Sequence, residues 1–439
     1  MKKVLVLGAG LVARPLVRYL LDKGYQVTCA SRTVAKAEKL IAGHPNGKAF
    51  ELNLKDERKL AGCIKDCDLA VSLVPFQLHP VVARMCIEHK KQMVTTSYVS
   101  EEMQKLDGPA KSAGLTLLNE IGVDPGIDHM SAMRIIDGVK SKGGQIASFK
   151  SYCGGLPAPE DNDNPFGYKF SWAPRGVLLA SRNGAQYLLG GRKVVIPPER
   201  LFRDMHLLEV KGFGDFEAYP NRDSIGYLDI YGLQGIETLF RGTLRNMGWC
   251  DTMYSFRKIG LLDLEEVDVK GKTYADFMRD LLGAGPDEEL RDAAARKMGV
   301  PRDALPAWNL HWLGMFSSRK FEVDRISPLD AMGNLMFEKL AFKPGERDLI
   351  VLYHDFIARY PGGRREHIVS KMIDFGIKNG DSSMSRTVSL PAAIGAHMIL
   401  QGKITTTGVL RPVTPDIYNP VLDELAALQI DCKESVEDF

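Results

Sequence analysis

The stretch VLVLGAGLVARPLVRYL, residues 4–20, runs from an apolar strand through a Gly-Ala-Gly turn into a helical pattern. Val4 to Leu7 form a continuous apolar run, the pattern of a strand buried on both faces. Gly8 and Gly10 let the backbone turn with no Cβ in the way. Leu16, Val17, Leu20 and Leu21 then recur at helical spacing. Such a turn aims free backbone N–H groups and the positive end of a helix at one spot, which suits a pyrophosphate. The motif is G-x-G-x-x-A, with Ala13 standing where a third glycine serves close helix–strand packing. Lys2 and Lys3 ahead of the run imitate an export leader, but two glycines and Arg14-Pro15 interrupt it and no small-residue cleavage site follows.

Outward from that turn, strands and helices alternate. Residues 25–30 read as the second strand, and helix 34–42, strand 48–54, strand 68–74, helix 78–90, strand 92–97, helix 101–113 and strand 115–121 follow. This alternation predicts a parallel, doubly wound sheet whose ligands sit beyond the carboxyl ends of the strands. The second strand should end on an acidic residue if the adenosine ribose carries free hydroxyls; it ends instead on Ser31-Arg32-Thr33. A guanidinium flanked by hydroxyls suits the extra 2′-phosphate of NADP. The other strand ends, Ser72 to Phe76, Thr96-Ser97-Tyr98 and Gly122-Val123-Asp124, are candidates to face cofactor and substrate.

The 439 residues suffice for two or three domains. Lys and Arg number 57 against 55 Asp and Glu, a net charge of +2, so nothing points to nucleic acid. No apolar run approaches membrane-spanning length. Seven cysteines, odd in number and irregular in spacing, argue against a disulfide framework, and Cys63 and Cys67 lack partners at zinc-ligand spacing. These features predict a cytoplasmic protein without a metal.

Further on, Asp124-Pro125-Gly126 reads as a turn and Asp128 as the cap of a helix over 129–140. Residues 145–155 resemble the first strand of a second domain, with more strands at 206–213 and 227–231. The stretch 154–176 is rich in Gly, Pro and Asn, yet carries Phe166, Tyr168, Phe170 and Trp172; it either packs onto a site or simply covers a sheet. Helical periodicity dominates from about 246 to 345, near 252–261, 274–282, 287–297 and 328–341. Strand character returns at 347–359 and 365–373, and an apolar helix spans 387–401.

The strings TTSYVS (95–100), NEIGVDPGIDH (119–129), SYCGGLPAPE (151–160), NPFGYKFSWAPRGVLLA (164–180), AYPNRDS (218–224) and RGTLR (241–245) resemble saccharopine reductase, the glutamate-forming, NADP-linked saccharopine dehydrogenase of lysine metabolism. The resemblance runs from the opening glycines to GVLRP (408–412). It implies an α/β protein with a Rossmann-type dinucleotide-binding domain (1–123 and about 390–439). An α/β substrate and dimerisation domain (124–245 and about 346–389) and a small helical domain (about 246–345) complete it. The implied reaction joins saccharopine to L-glutamate and 2-aminoadipate 6-semialdehyde by hydride transfer at a C–N bond, in a cytoplasmic homodimer. Carried over by motif, Gly8, Ala9, Gly10, Leu11, Val12, Ser31, Arg32, Thr33, Leu52, Asn53, Val74, Thr96 and Ser97 would line NADP. Ser97, Tyr98, Asp124, Cys153, Phe170, Trp172, Arg222, Thr243, Leu244 and Arg245 would line the substrate.

The residue chemistry is compatible with that assignment. Saccharopine has three carboxylates, and Arg222 and Arg245 offer bidentate forks, unless each is paired to an acid such as Asp223. Asp124 either meets the substrate's amino group or braces its turn. Phe170 and Trp172 either wall the nicotinamide or belong to the core. Asp124, Cys153 and Tyr98 are the nearby groups for proton transfer, although a free cysteine is more often a buried strand residue. Two rivals remain: a related imine-reducing enzyme, such as a carboxynorspermidine or homospermidine synthase, and a non-catalytic NADP-binding sensor or assembly partner.

Overall fold

The computed structural model describes every residue from Met1 to Phe439. The chain forms two compact units, Met1–Ile146 with Ala358–Phe439, and Ala147–Ile357. The first half of the first unit runs β1 (Lys3–Leu7), α1 (Ala13–Asp22), β2 (Gln26–Ser31), α2 (Val34–Ile41), β3 (Gly47–Glu51), α3 (Glu57–Lys65), β4 (Leu69–Ser72), α4 (His79–Glu88), β5 (Gln92–Thr95), α5 (Glu101–Gln104), α6 (Asp107–Ser112), β6 (Thr116–Leu118) and α7 (Ile127–Ser141). The second unit holds β7 (Gln145–Pro157), α8 (Pro174–Ala180), β8 (Ala185–Leu189), β9 (Arg192–Ile196), β10 (His206–Val210), β11 (Gly214–Pro220), β12 (Thr238–Arg245), α9 (Trp249–Lys258), β13 (Val267–Asp268), α10 (Tyr274–Leu282), α11 (Leu290–Met298), α12 (Leu305–Leu313), β14 (Arg325–Ile326), α13 (Pro328–Lys339) and β15 (Asp348–Arg359). The boundary between units falls inside β7 and β15. The chain then returns to the first unit with β16 (Arg365–Phe375), α14 (Ser383–Leu400), β17 (Gly408–Leu410), α15 (Pro415–Ala427) and β18 (Lys433–Asp438).

In the first unit, seven parallel strands lie in the order β17-β6-β5-β4-β1-β2-β3. Without β17 this is the doubly wound order of a dinucleotide-binding sheet. Its central strands are buried on both faces: Val4 to Leu7 and Leu69 to Ser72 have almost no exposure, which is why both read as unbroken apolar runs. Helix α14 packs against α1, and Tyr25 on β2's approach meets His397 of α14 at 2.7 Å. β17 adds to the far edge beside β6, so residues late in the chain complete a sheet begun at its start.

In the second unit, β10-β11-β12-β7-β15 run side by side as part of a nine-stranded sheet, with the β8–β9 hairpin beside β12. β12 is antiparallel to β11 and parallel to β7. Helices α9 to α13 build one apolar cluster that also takes in Phe166, Tyr168 and Phe170. The aromatic loop is therefore bound into a helical core.

Two local expectations are corrected. The segment 227–231 is a short 3₁₀ turn (Ile225–Tyr227) with its continuation; glycines 226 and 232 flank it, and the neighbouring strands are β11 and β12 instead. The single helix expected over 101–113 is two, α5 and α6, broken just before Gly108-Pro109, where proline cannot continue an i→i−4 ladder.

Candidate active site

The glycine turn has the form its sequence implies. Gly8 has φ 113°, and a Cβ there would lie 2.8 Å from the Leu73 carbonyl oxygen, so only glycine fits. A Cβ on Gly10 would meet nothing within 4 Å, which leaves the backbone open to a close-approaching ligand. Ala13 is fully buried against the sheet, and no side chain caps α1, so the N–H groups of its first turn stay available. Ser31 closes β2, with Arg32 and Thr33 exposed immediately beyond it. No acidic side chain replaces the expected ribose contact. These features fit a dinucleotide with a 2′-phosphate: Gly8 to Val12 would hold the pyrophosphate and Arg32 the extra phosphate. Asn53 accepts from the Lys55 N–H at 3.1 Å at the exit of β3. Leu52 is a buried core side chain, so only its backbone is free to face a ligand.

At the ends of β4 and β5 the structure brings together residues that the sequence kept apart. His79, the first residue of α4, is 3 % exposed. Its Nδ1 lies 2.8 Å from Ser72 Oγ and its Nε2 2.8 Å from Ser97 Oγ, with Thr95 Oγ1 at 3.3 Å. Burial pushes its pKa down to about 4, so the ring is neutral at neutral pH. Just beyond, the Tyr98 hydroxyl donates to Asp124 Oδ1 at 2.8 Å. Two of the proposed proton-transfer groups therefore touch.

The Tyr98 segment is anchored by Glu120. This buried residue has φ 54°; its N–H donates to the Ser97 carbonyl, and its Oε1 accepts from the Val99 N–H at 3.0 Å and from Arg411 Nε at 2.8 Å. Oε2 lies 2.9 Å from His129 Nε2. Burial alone would raise the carboxyl's pKa, but His129, Arg411 and the Val99 N–H outweigh it and hold it at about 2. The Asp124-Pro125 peptide is cis. Asp128 is not the residue ahead of α7: the helix starts at Ile127, and Asp128 Oδ1 accepts from the N–H groups of Gly126 and His129.

The remaining candidates lie in the second unit. Cys153 on β7 is in register with Thr243 on β12, which faces Tyr219 on β11. Leu244 is wholly buried and offers a ligand only its backbone. The Arg245 guanidinium is buried against the rings of Tyr168, at 4.9 Å, and Trp249, at 5.5 Å. Its Nη1 donates to the Leu244 carbonyl, while its Nε has no hydrogen-bond partner. The register neighbour Glu217 is committed elsewhere, accepting from the N–H groups of Gly248 and Cys250. Arg222 is exposed, at φ 55° on the turn after β11. Asp223 accepts from the N–H groups of Ile225 and Gly226. Phe170 is core, T-shaped on Tyr168, and Trp172 is half-buried beside Gly176. No cluster of His, Cys, Asp and Glu could hold a metal ion.

Sequence reasoning missed His79, Glu120, His129 and Arg411. All but His79 sat within quoted motifs, but the Glu120–His129 pair depends on the backbone turn at Glu120, and the Arg411 contact on β17 joining β6.

Comparison with known proteins covers the chain from end to end. Residues 4–118 match the family model described as the saccharopine dehydrogenase NADP binding domain, and residues 122–430 the one described as the saccharopine dehydrogenase C-terminal domain. The chain is 38% identical over 449 residues to the saccharopine dehydrogenase (NADP(+), L-glutamate-forming) of Schizosaccharomyces pombe, covering 100% of both. It is 38% identical to the mitochondrial alpha-aminoadipic semialdehyde synthase of Bos taurus, with 97% of this chain and 47% of that protein aligned. The chain thus spans about half the length of the animal synthases it matches. The solved apo saccharopine dehydrogenase (L-Glu forming) from Saccharomyces cerevisiae superposes with a TM-score of 0.90 at 36% identity, covering 100% of each chain. With two family models meeting between residues 118 and 122 and full-length relatives on both sides of that join, this chain belongs to the saccharopine dehydrogenase family.

Proposed function

We propose that this chain is an NADP-linked oxidoreductase interconverting saccharopine with L-glutamate and 2-aminoadipate 6-semialdehyde. The observation that carries the reading is the end-to-end likeness to a glutamate-forming saccharopine dehydrogenase. The glycine cradle, Arg32 and the buried Arg245 agree with it. NADP supplies the hydride acceptor or donor when bound. The chain's own residues hold and orient. Backbone N–H groups at Gly8 to Val12 bind the pyrophosphate. Arg32, with Ser31 and Thr33, selects the phosphorylated ribose. Asn53, Val74, Thr96 and Ser97 line the rest of the cofactor.

Arg222 and Arg245 bind substrate carboxylates. Thr243, Cys153 and Trp172 shape the pocket around them, with Phe170 behind them in the core. Asp124 binds the substrate's amino group, and Tyr98 holds that carboxylate by its hydroxyl, so the Tyr98–Asp124 pair is the route for a proton as the amine is oxidised and the imine hydrolysed. We assign cofactor binding to residues 1–123 with about 390–439, and substrate binding and dimer formation to 124–245 with about 346–389. The helical layer at about 246–345 buttresses the aromatic loop. None of the seven cysteines is in a disulfide, which supports a reducing compartment such as the cytoplasm, and no helix is long and apolar enough to cross a membrane.

The test is spectrophotometric. Saccharopine with NADP should generate the reduced cofactor, and NAD should serve poorly. Turnover of a carboxylated polyamine precursor but not of saccharopine would overturn the substrate, and NADP binding without any turnover would leave a sensor. Sedimentation analysis tests the homodimer; a monomer at micromolar concentration would remove it.

A further inference from the structure

His79 is buried and neutral, and it spans two strand ends. Neutral imidazole has one N–H and one acceptor nitrogen, so its tautomer is decided by its neighbours. Ser72 Oγ is buried and has a single partner, His79 Nδ1. Were Nδ1 protonated, the Ser72 hydroxyl proton would have no acceptor, and the Nε2 lone pair could satisfy only one of Ser97 and Thr95. With the proton on Nε2, Ser72 donates to Nδ1, and Nε2–H donates to Ser97 Oγ at 2.8 Å, with Thr95 Oγ1 at 3.3 Å as the weaker sharer. That arrangement strands fewer buried protons. It also fills an acceptor position on Ser97, whose hydroxyl has no other partner.

We propose that His79 is a positioning residue: held by Ser72, it donates to Ser97 and so turns the Ser97 hydroxyl proton outward, as a donor to a carbonyl or carboxylate oxygen of a bound ligand. Ser97 follows the carboxyl end of β5, one strand from β4 and two from the glycine turn's own β1. A ligand oxygen there belongs either to the nicotinamide carboxamide or to the substrate. The inference rests on the reading that Ser97 lines the site, and it adds a reason why the serine presents a donor rather than an acceptor. The Ser72–His79–Ser97 chain is two hydrogen bonds long, each at a distance typical of a good bond.

The experiment compares Ser97→Ala, His79→Leu, His79→Gln, Ser72→Ala and the His79→Leu/Ser97→Ala double variant by fluorescence titration with NADPH and by the Michaelis constant for saccharopine. Ser97→Ala and His79→Leu should each weaken the same ligand about 3- to 10-fold, the range of one hydrogen bond. The double variant should be no worse than Ser97→Ala. Glutamine, which can still donate to Ser97, should recover to within about 2-fold of the parent. A loss in NADPH affinity assigns the oxygen to the carboxamide; a loss confined to saccharopine assigns it to the substrate. Circular dichroism checks folding, and if His79→Leu does not fold, Ser72→Ala must reproduce a smaller loss on the same ligand.

Multiplying effects in the double variant, an unaffected His79→Leu beside an impaired Ser97→Ala, or no effect of Ser97→Ala on either ligand would each overturn the proposal. Failure of the parent enzyme to turn over saccharopine would instead strike the proposed reaction; a matching loss of NADPH affinity in Ser97→Ala and His79→Leu would then still support the role of His79, and no loss in either would overturn it.

Discussion

Arg32 and Arg245, both proposed to meet anions, differ in what surrounds them. Arg32 is exposed at a strand end, so its value to a bound 2′-phosphate is that of a few charge-assisted hydrogen bonds in solvent. Replacing it with serine should raise the Michaelis constant for NADP about tenfold and leave that for NAD nearly unchanged, read from initial rates with each cofactor. Arg245 is buried on aromatic rings with Nε unsatisfied. A desolvated guanidinium gains more from a carboxylate than an exposed one does, and lysine cannot reproduce its planar fork. Arg245→Lys should therefore raise the Michaelis constant for saccharopine by more than about tenfold while NADPH titration stays unchanged. The exposed place of Arg32 just past β2 was legible in the sequence because it directly follows an apolar strand. His79 was not, because its partners Ser72 and Ser97 come from two strands that only the fold sets side by side.

At the level of elements, the opening turn separates two roles of glycine. Gly8→Ala places a Cβ against the Leu73 carbonyl at a positive φ and should cost about 1–3 kcal/mol of stability, measured as a drop in denaturant midpoint. Gly10→Ala adds a methyl in open space and should leave the midpoint almost unmoved, yet raise the Michaelis constant for NADP about tenfold or more by holding the pyrophosphate off the backbone. The parallel strands of this unit were readable because burial on both faces writes an unbroken apolar run. The strands of the other sheet were harder: β11 and β12 mix polar residues into buried positions, Glu217 and Arg241 among them, which dilutes any period-two pattern. The short 3₁₀ turn that imitated a strand at 227–231 did so because tyrosines and isoleucines favour strands wherever they occur. The aromatic loop was recognised as unusual, but only the cluster around Trp249 and Phe256 explains what it packs on.

For the molecule as a whole, two buried groups push the response to acid in the same direction. His79 is lowered from 6.5 to about 4 and Glu120 from 4.5 to about 2. A depressed pKa means that the unfolded chain takes up the proton first, so stability is fully present above the unfolded value and is lost as pH falls toward the folded one. His79 acts between about pH 6.5 and 4, and Glu120 between about 4.5 and 2. The melting temperature should begin to fall below pH 6.5 and keep falling below 4.5. His79→Leu should flatten the first part of that decline. Glu120→Gln should flatten the second, from a lower starting point, because His129 and Arg411 lose their carboxylate. The same Glu120–Arg411 contact bears on biosynthesis. β17 and α14 emerge from the ribosome long after β1 to β6, with the whole of the second unit made in between. Until they arrive, α1 lacks the helix that covers it and β6 is a bare edge. The nascent cofactor-binding unit must therefore wait, exposed to chaperones and proteases, while the inserted unit can already close around its own core.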